Sequence, residues 1–230
     1  MSACRYLLWR NASARTVRWR RCPGGEKKCV HAARRDTERV VALRSALVEA
    51  VQRADFTRCK FVDETSTNLT YCRRYARAEG GQRARQARPG SAVARRAEET
   101  LVAALTTTGL QAAMTVSGAV NGAVFAVYLQ QVIGLMPVPS DVARSDNLPA
   151  HKVAGLAELG EARGARRRYL PPYSPDFNPI ELTFSKYKTW LRTARVCTRE
   201  ALESVIHAAT DWITERNAQN WVGHCGYHIH

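Results

Sequence analysis

The chain has 230 residues, 45% of them hydrophobic, and a formal net charge of +15. That length allows one sizeable domain plus a short extra segment, with a core that needs no staples. No apolar run reaches the length of a membrane span, and the basic first residues lack the apolar stretch of a signal peptide, so a soluble, cytoplasmic protein is expected.

The charge is uneven: residues 1–100 carry 23 Lys+Arg against 10 Asp+Glu, whereas residues 101–230 carry 12 against 10. An arginine-rich half, which includes Arg73 and Arg74, fits a phosphate-bearing polyanion because the guanidinium fork matches phosphate oxygens. A GC-rich genome also inflates arginine, and composition alone does not separate the two. Seven cysteines occur without a C-x-x-C pair. The odd number argues against a disulfide framework or a zinc knuckle, and reduced cytosolic thiols are the simpler account.

In chain order, residues 1–30 read as a basic remnant ended by Pro23-Gly24-Gly25. Residues 31–56 read as a linker helix, with Val40, Leu43, Leu47 and Val51 forming its apolar stripe and Asp36 or Thr37 at its start. A main domain over 57–230 follows. Arg58 to Val62 is a short strand run ending at Asp63-Glu64, and residues 71–98 read as loop plus a poorly defined strand. Thr100–Thr106 and Leu110–Val116 flank Thr107-Thr108-Gly109 as a hairpin. A helical pattern runs from Ala123 to Leu135. Ser140–Ser145 delivers Asp146, His151–Arg163 reads as a helix, and Arg166–Leu170 as a strand. Four prolines between Pro171 and Pro179 exclude a helix or central strand there. Pro179 then opens a helix to about Ala194, with Asn178 as its cap. Two more helices are expected, Thr198–Thr214 with Thr198 as cap and Glu215–Val222. His224, Cys225, His228 and His230 fall in what reads as a frayed tail. This order predicts an α/β fold: a mixed five-stranded sheet flanked by helices, with a short helical N-terminal remnant.

Three acids stand at telling places. Asp63 and Asp146 close strands, and Glu181 lies in the first turn of a helix behind a rigid proline loop. Strand ends are where side chains of an α/β sheet converge. Three carboxylates brought together repel unless cations neutralise them, and hard oxygen donors at that density suit magnesium or manganese. Singly, each acid has a plainer role: Asp63 as a turn residue, Asp146 as an Asx turn, Glu181 as a charge offsetting the helix dipole. There is no P-loop, Gly-rich dinucleotide turn or G-x-S-x-G elbow.

The run Asp146-Asn147-Leu148-Pro149-Ala150-His151-Lys152, the run from Tyr169 to Glu181 containing Pro172-Tyr173-Ser174-Pro175-Asp176-Phe177-Asn178-Pro179, and Phe184-Ser185-Lys186-Tyr187-Lys188 resemble the catalytic core of mariner-superfamily transposases, bacterial insertion-sequence branch. Thirty-four residues separate Asp146 from Glu181, as that group's pattern has it, and Phe61-Val62-Asp63-Glu64-Thr65 resembles the strand bearing its first aspartate. The likeness covers roughly Lys27 to Tyr227. It implies a ribonuclease-H-like fold and cut-and-paste DNA transposition, with Asp63, Asp146 and Glu181 holding two Mg2+ (or Mn2+) ions. It also implies double-stranded DNA partners (terminal inverted repeats and target DNA), a homodimer, and a cytoplasmic, nucleoid-associated protein in a bacterium. Asn147, His151, Lys152, Lys186 and Lys188, with Arg73 and Arg74, are the DNA-contact candidates. A solvated helix face is the plainer reading of Lys188, and a structural imidazole that of His151.

The resemblance also has gaps. Only the tail of the family's paired helix-turn-helix region fits in residues 1–30, so the chain reads as N-terminally truncated, which leaves room for a companion polypeptide to supply DNA recognition. The pattern fades around 86–99. Ala143-Arg144-Ser145 puts a charge where a buried strand favours Val or Ile, so Arg144 would have to snorkel to the surface. The expected activity is metal-dependent cleavage and strand transfer at the ends of an insertion sequence. The alternatives are a catalytically inactive, truncated DNA-binding remnant and, less well matched to the proline loop, a ribonuclease or Holliday-junction nuclease.

Overall fold

In a computed structural model of the protein, the described residues are 33–52, 56–69, 71, 78–80, 82–83, 85, 98–133, 142–147, 166–194, 196 and 198–228. The order is a 3-10 turn Ala33–Asp36, α1 (Glu38–Gln52), β1 (Cys59–Asn68), β2 (Glu98–Thr106), β3 (Gly109–Ser117), α2 (Gly122–Tyr128) running into a π turn Leu129–Ile133, β4 (Val142–Ser145), β5 (Arg166–Tyr169), a 3-10 turn Pro175–Phe177, α3 (Ile180–Ala194), α4 (Arg199–Trp212) and α5 (Glu215–His224). The five strands form one mixed sheet in the order β3-β2-β1-β4-β5. β1 is antiparallel to β2, β2 to β3, while β4 and β5 run parallel to β1. This is the mixed, helix-flanked sheet the sequence predicts.

β1 is longer than the sequence suggests. It runs through Asp63 to Asn68, because Thr65 and Thr67 continue the inward alternation begun by Cys59 and Phe61. Its parallel partner stops earlier, the last pair being Val62↔Ser145. Asp63 therefore sits not at a strand end but where the strand loses its parallel neighbour. Phe61 pairs with Arg144. Two residues further along each chain stand Asp63 and Asp146, so side-chain alternation aims both acids at one face.

The two sheet faces carry separate cores. On one, Phe61, Leu101, Ala103 and Leu105 pack with Leu47 and Val51 of α1, with Ile180, Phe184, Tyr187 and Leu191 of α3, and with Leu202, Val205 and Val222 of α4 and α5. On the other, Val62, Val102 and Ala104 pack with Phe125 and Tyr128 of α2. α1, expected as a linker, thus belongs to the same unit as the sheet, residues 33–230. Its buried stripe is Val40, Leu47 and Val51; Leu43 is exposed, and Arg44 takes the inward-leaning place one residue on.

Local signals behave as their chemistry dictates. Asn121 Oδ1 accepts from Val124 N at 3.0 Å to start α2, and Thr198 Oγ1 accepts from Ala201 N at 3.2 Å to start α4. Gly109 has φ +134°, opening β3 after the Thr107-Thr108 turn. Two expectations need correction. Arg144 does not snorkel: it is 9% exposed, and its guanidinium lies 5.2 Å from the Phe56 ring and 5.9 Å from the Tyr227 ring. Two aromatic faces replace water around the cation. The C-terminal residues through His228 are docked, not frayed. Cys225 and Tyr227 are buried, Tyr227 packs at 4.7 Å on Phe56, and Phe56 N donates to His228 O at 3.4 Å. The expected helix His151–Arg163 and the basic stretch 1–30 lie outside the described residues. No helix among the described residues is long and apolar enough to cross a membrane.

Candidate active site

The site forms at the C-terminal ends of the parallel strands. Asp146 follows β4 directly, and Leu170 N, the first donor after β5, bonds Ser145 O at 2.9 Å. The proline loop therefore leaves the sheet beside Asp146 and returns as α3. Asp63, Asp146 and Glu181 all line one cleft of about 540 Å³, together with Glu64, Asn147, Ser174, Asn178 and the loop residues between them. Openings at strand ends next to a change of chain direction are where α/β sheets bind ligands.

Asp63 is the most constrained of the acids. It is 6% exposed; Oδ1 accepts from Glu64 N at 2.8 Å and Oδ2 from Asn178 Nδ2 at 2.7 Å. Burial, and then the Asp146 carboxylate, push its pKa up to about 8, with Glu64 and Glu181 adding in the same direction. Glu181 faces solvent more, yet partial burial raises it too; Lys188 opposes that rise while Asp146 and Glu64 add to it. Lys188 is half-buried, and burial lowers its own pKa against the pull of Glu181 and Asp63. The acids thus feel one another across a common space, with one lysine beside them.

That electrostatic state is what a hard cation relieves. The donors facing the cleft are oxygen-rich, and a cation there would bring Asp63 back to its charged form. Among the described residues, no three acidic, histidine or cysteine side chains stand close enough to form a finished ligand cluster. Asp63, Asp146 and Glu181 fit as holders of divalent cations by their donor chemistry and by the cleft they share.

Of the other candidates, Asn147 lines the cleft and Lys188 is beside Glu181. Lys186 is not in the site. Its Nζ donates to Trp212 O at 3.2 Å and to Asn217 Oδ1 at 2.6 Å, and lies 5.0 Å from the Trp212 ring and 5.8 Å from the Trp221 ring. It fastens α3 to α4 and α5, away from the residues that line the cleft. His151, Lys152, Arg73 and Arg74 lie outside the described residues.

Two participants escape a reading of the sequence. Glu64 looks like no more than the end of a strand. Asn178 looks like the cap of α3, but its side chain is 2% exposed and donates to Asp63, while Oδ1 has no partner among the described residues. The α3 start is held instead by backbone bonds, Glu181 N to Asn178 O at 3.1 Å and Leu182 N to Pro179 O at 3.1 Å. Spacing gives one clue: Asn178 stands three residues before Glu181, within reach of the same site.

A mixed sheet in the order β3-β2-β1-β4-β5, with acids beside its parallel strand ends and a glutamate on the following helix, defines a ribonuclease-H-like fold. Residues 58–203, more than half the chain, match the family described as DDE superfamily endonuclease, and the protein belongs to that family. Among solved structures, the Mos1 strand transfer complex matches with a TM-score of 0.68 at 17% identity, over 87% of this chain and 63% of that one. The Mos1 transposase paired-end complex with left transposon end matches at 0.67 and 17%, over 87% and 63%. The isolated catalytic domain of Mos1 mariner transposase matches at 0.60 and 15%, over 87% and 98%. At such identities the likeness is one of fold. The chain spans about 63% of the length of the chains in the two complexes. No curated protein matches it.

Proposed function

We propose that this chain is the catalytic domain of a cut-and-paste DNA transposase of the bacterial insertion-sequence branch of the mariner superfamily. The observation that carries this reading is the opening of Asp63, Asp146 and Glu181 onto one cleft at the strand ends. The fold relatives support it: Mos1 complexes have been solved with Mn and with Mg, and with transposon-end DNA.

Asp63, Asp146 and Glu181 would hold two divalent ions, which when bound activate the attacking oxygen and stabilise the leaving one. The protein's own contribution is positional. Glu64 N–H and Asn178 Nδ2 each hold one oxygen of Asp63, fixing the plane of that carboxylate. Lys188 offsets charge at Glu181. Water attacks the phosphorus at the element's end; a new P–O bond forms as the bond to the 3′-oxygen breaks, leaving a 3′-hydroxyl and a 5′-phosphate. That hydroxyl then attacks a phosphodiester of target DNA, commonly at TA in this superfamily, and displaces a second 3′-oxygen. Terminal inverted repeats and target DNA are the substrates, a homodimer the working form, and a companion polypeptide the source of sequence recognition if the chain is truncated. The cytoplasm of a bacterium is the setting.

The test is nicking of supercoiled plasmid by the folded protein with Mg2+ or Mn2+. Nicking that disappears in Asp146→Asn supports the reading, and a wild type that never nicks rejects it. The alternative reading is a catalytically inactive, truncated DNA-binding remnant. That remnant would shift DNA in a gel but leave it intact under both metals.

A further inference from the structure

The proline loop is gripped from two sides by parts of the chain far from it in sequence. On one side is Arg44 of α1. Its Nη2 lies 2.6 Å from Asp176 Oδ2 and its Nη1 lies 3.0 Å from Oδ1, a two-pronged bond. The same Nη1 donates to Ser174 Oγ at 2.6 Å, and Ser174 Oγ in turn donates to Pro172 O at 3.1 Å. The guanidinium also lies 4.6 Å from the centroid of the Phe177 ring. Arg35 adds a second, looser ion pair to Asp176 Oδ2 at 3.1 Å. On the other side, Tyr227 Oη donates to Phe177 O at 2.7 Å from the docked C-terminal segment.

A surface ion pair contributes little, but a planar two-pronged pair that also binds a hydroxyl and stacks on a ring fixes its partner in space as well as in charge. The gripped turn, Pro175–Phe177, is followed at once by Asn178, whose amide holds Asp63 Oδ2, and three residues later by Glu181. Tyr173, inside the same loop, has φ +57°. A non-glycine residue in that region persists only where its surroundings enforce it. Two of the three acids proposed to hold metal, Asp63 and Glu181, are therefore positioned by a segment whose own position is set by Arg44 and Tyr227.

We propose that Arg44 is a positioning residue for the metal-binding carboxylates: with Tyr227 it clamps the Pro175–Phe177 turn so that Asn178 sets the orientation of Asp63. The inference rests on the proposed metal site and adds to it a residue 19 positions before Asp63, on a helix that does not line the cleft. Partners that orient ligands commonly change metal affinity by about 10- to 100-fold when removed. Arg44 acts one step further away, so the low end of that range, about tenfold, is expected.

The experiment is a titration of the full chain with Mn2+, reading free Mn2+ by electron paramagnetic resonance, for wild type, Arg44→Ala, Asn178→Ala and the double variant, alongside their melting temperatures. The clamp predicts about tenfold weaker Mn2+ binding in Arg44→Ala and little further loss when that change is added to Asn178→Ala, because both act through one bond. A merely structural arginine would lower the melting temperature and leave Mn2+ affinity unchanged, and that result overturns the proposal. So would fully additive losses in the double variant. If Arg44→Ala fails to fold, Arg44→Met keeps a stem over the Phe177 ring and carries the same comparison. A wild type that binds no Mn2+ in the cleft rejects the metal site itself and the clamp with it, an outcome distinct from normal wild-type binding that Arg44→Ala leaves intact.

Discussion

Asp63→Asn offers the sharpest test of how the cleft is built. In the metal-free protein the Asp63 carboxyl is buried beside other carboxylates, and its pKa is pushed from 3.8 up to about 8. Its folded value lies above its unfolded value. The stability it allows is therefore complete below about pH 4 and is lost as pH rises toward 8. A tenfold change in acidity corresponds to about 1.4 kcal/mol, so the whole rise sets an upper limit of roughly 6 kcal/mol. Local relaxation and water entry reduce this, and a difference of about 2–4 kcal/mol is expected at pH 8.5. Asparagine removes the charge at nearly constant shape. Its carbonyl keeps the bond from Glu64 N, and its amide can donate to Asn178 Oδ1, which has no partner among the described residues, once the Asn178 amide turns over. Urea unfolding in chelator should therefore show Asp63→Asn close to wild type near pH 4 and more stable by that margin at pH 8.5. Added Mn2+ should narrow the gap by stabilising only the wild type. A variant less stable than wild type at pH 8.5 would refute the reasoning, because it would mean the carboxylate is already neutralised within the fold.

Substitutions at three further positions probe the frame around the site. Lys186→Met should lower stability by about 1.5–3 kcal/mol through its lost bonds to Trp212 O and Asn217 Oδ1, with DNA affinity unchanged in a salt-controlled gel shift; weaker DNA binding at unchanged stability would restore it as a phosphate contact. Arg144→Met should stay within about 1 kcal/mol of wild type in urea unfolding, since a thioether suits the Phe56 and Tyr227 rings, whereas Arg144→Ala should lose about 2–3 kcal/mol; equal large losses would show that the charge itself is required. Gly109→Ala should lose about 2 kcal/mol by thermal melting, because φ is +134° and a Cβ there would meet Ile213 O at 2.9 Å; an unchanged melting temperature would contradict it.

Much of this architecture is legible from residues alone, where local chemistry and tertiary packing agree. The Thr107-Thr108-Gly109 hairpin, the Thr198 cap and the proline-bounded start of α3 each combine a turn or cap signal with an apolar pattern on either side. Departures come where a polar or charged residue does the work of an apolar one. Asp63, Glu64 and the Thr-Ser-Thr run look unlike a core strand and so hide the second half of β1, yet Thr65 and Thr67 are buried and Asp63 is held by hydrogen bonds. In α1 the apolar pattern points to Leu43, because an arginine does not read as inward-facing, although Arg44 reaches the proline loop with both prongs. Asn178 has the place of a cap, and its distant partner cannot be seen from its neighbours in sequence. The acids themselves are recognisable from position and spacing. Their sharing of one cleft depends on the β1–β4 register, which no local signal encodes.

Whether Asp63, Asp146 and Glu181 hold divalent cations between them, in the cleft beneath the proline loop, is tested most directly by anomalous diffraction from crystals grown with Mn2+. Two peaks about 3.5–4 Å apart, bounded by those three carboxylates, are the predicted result. Manganese found only at other acids, or none in the cleft at saturating concentration, would contradict it.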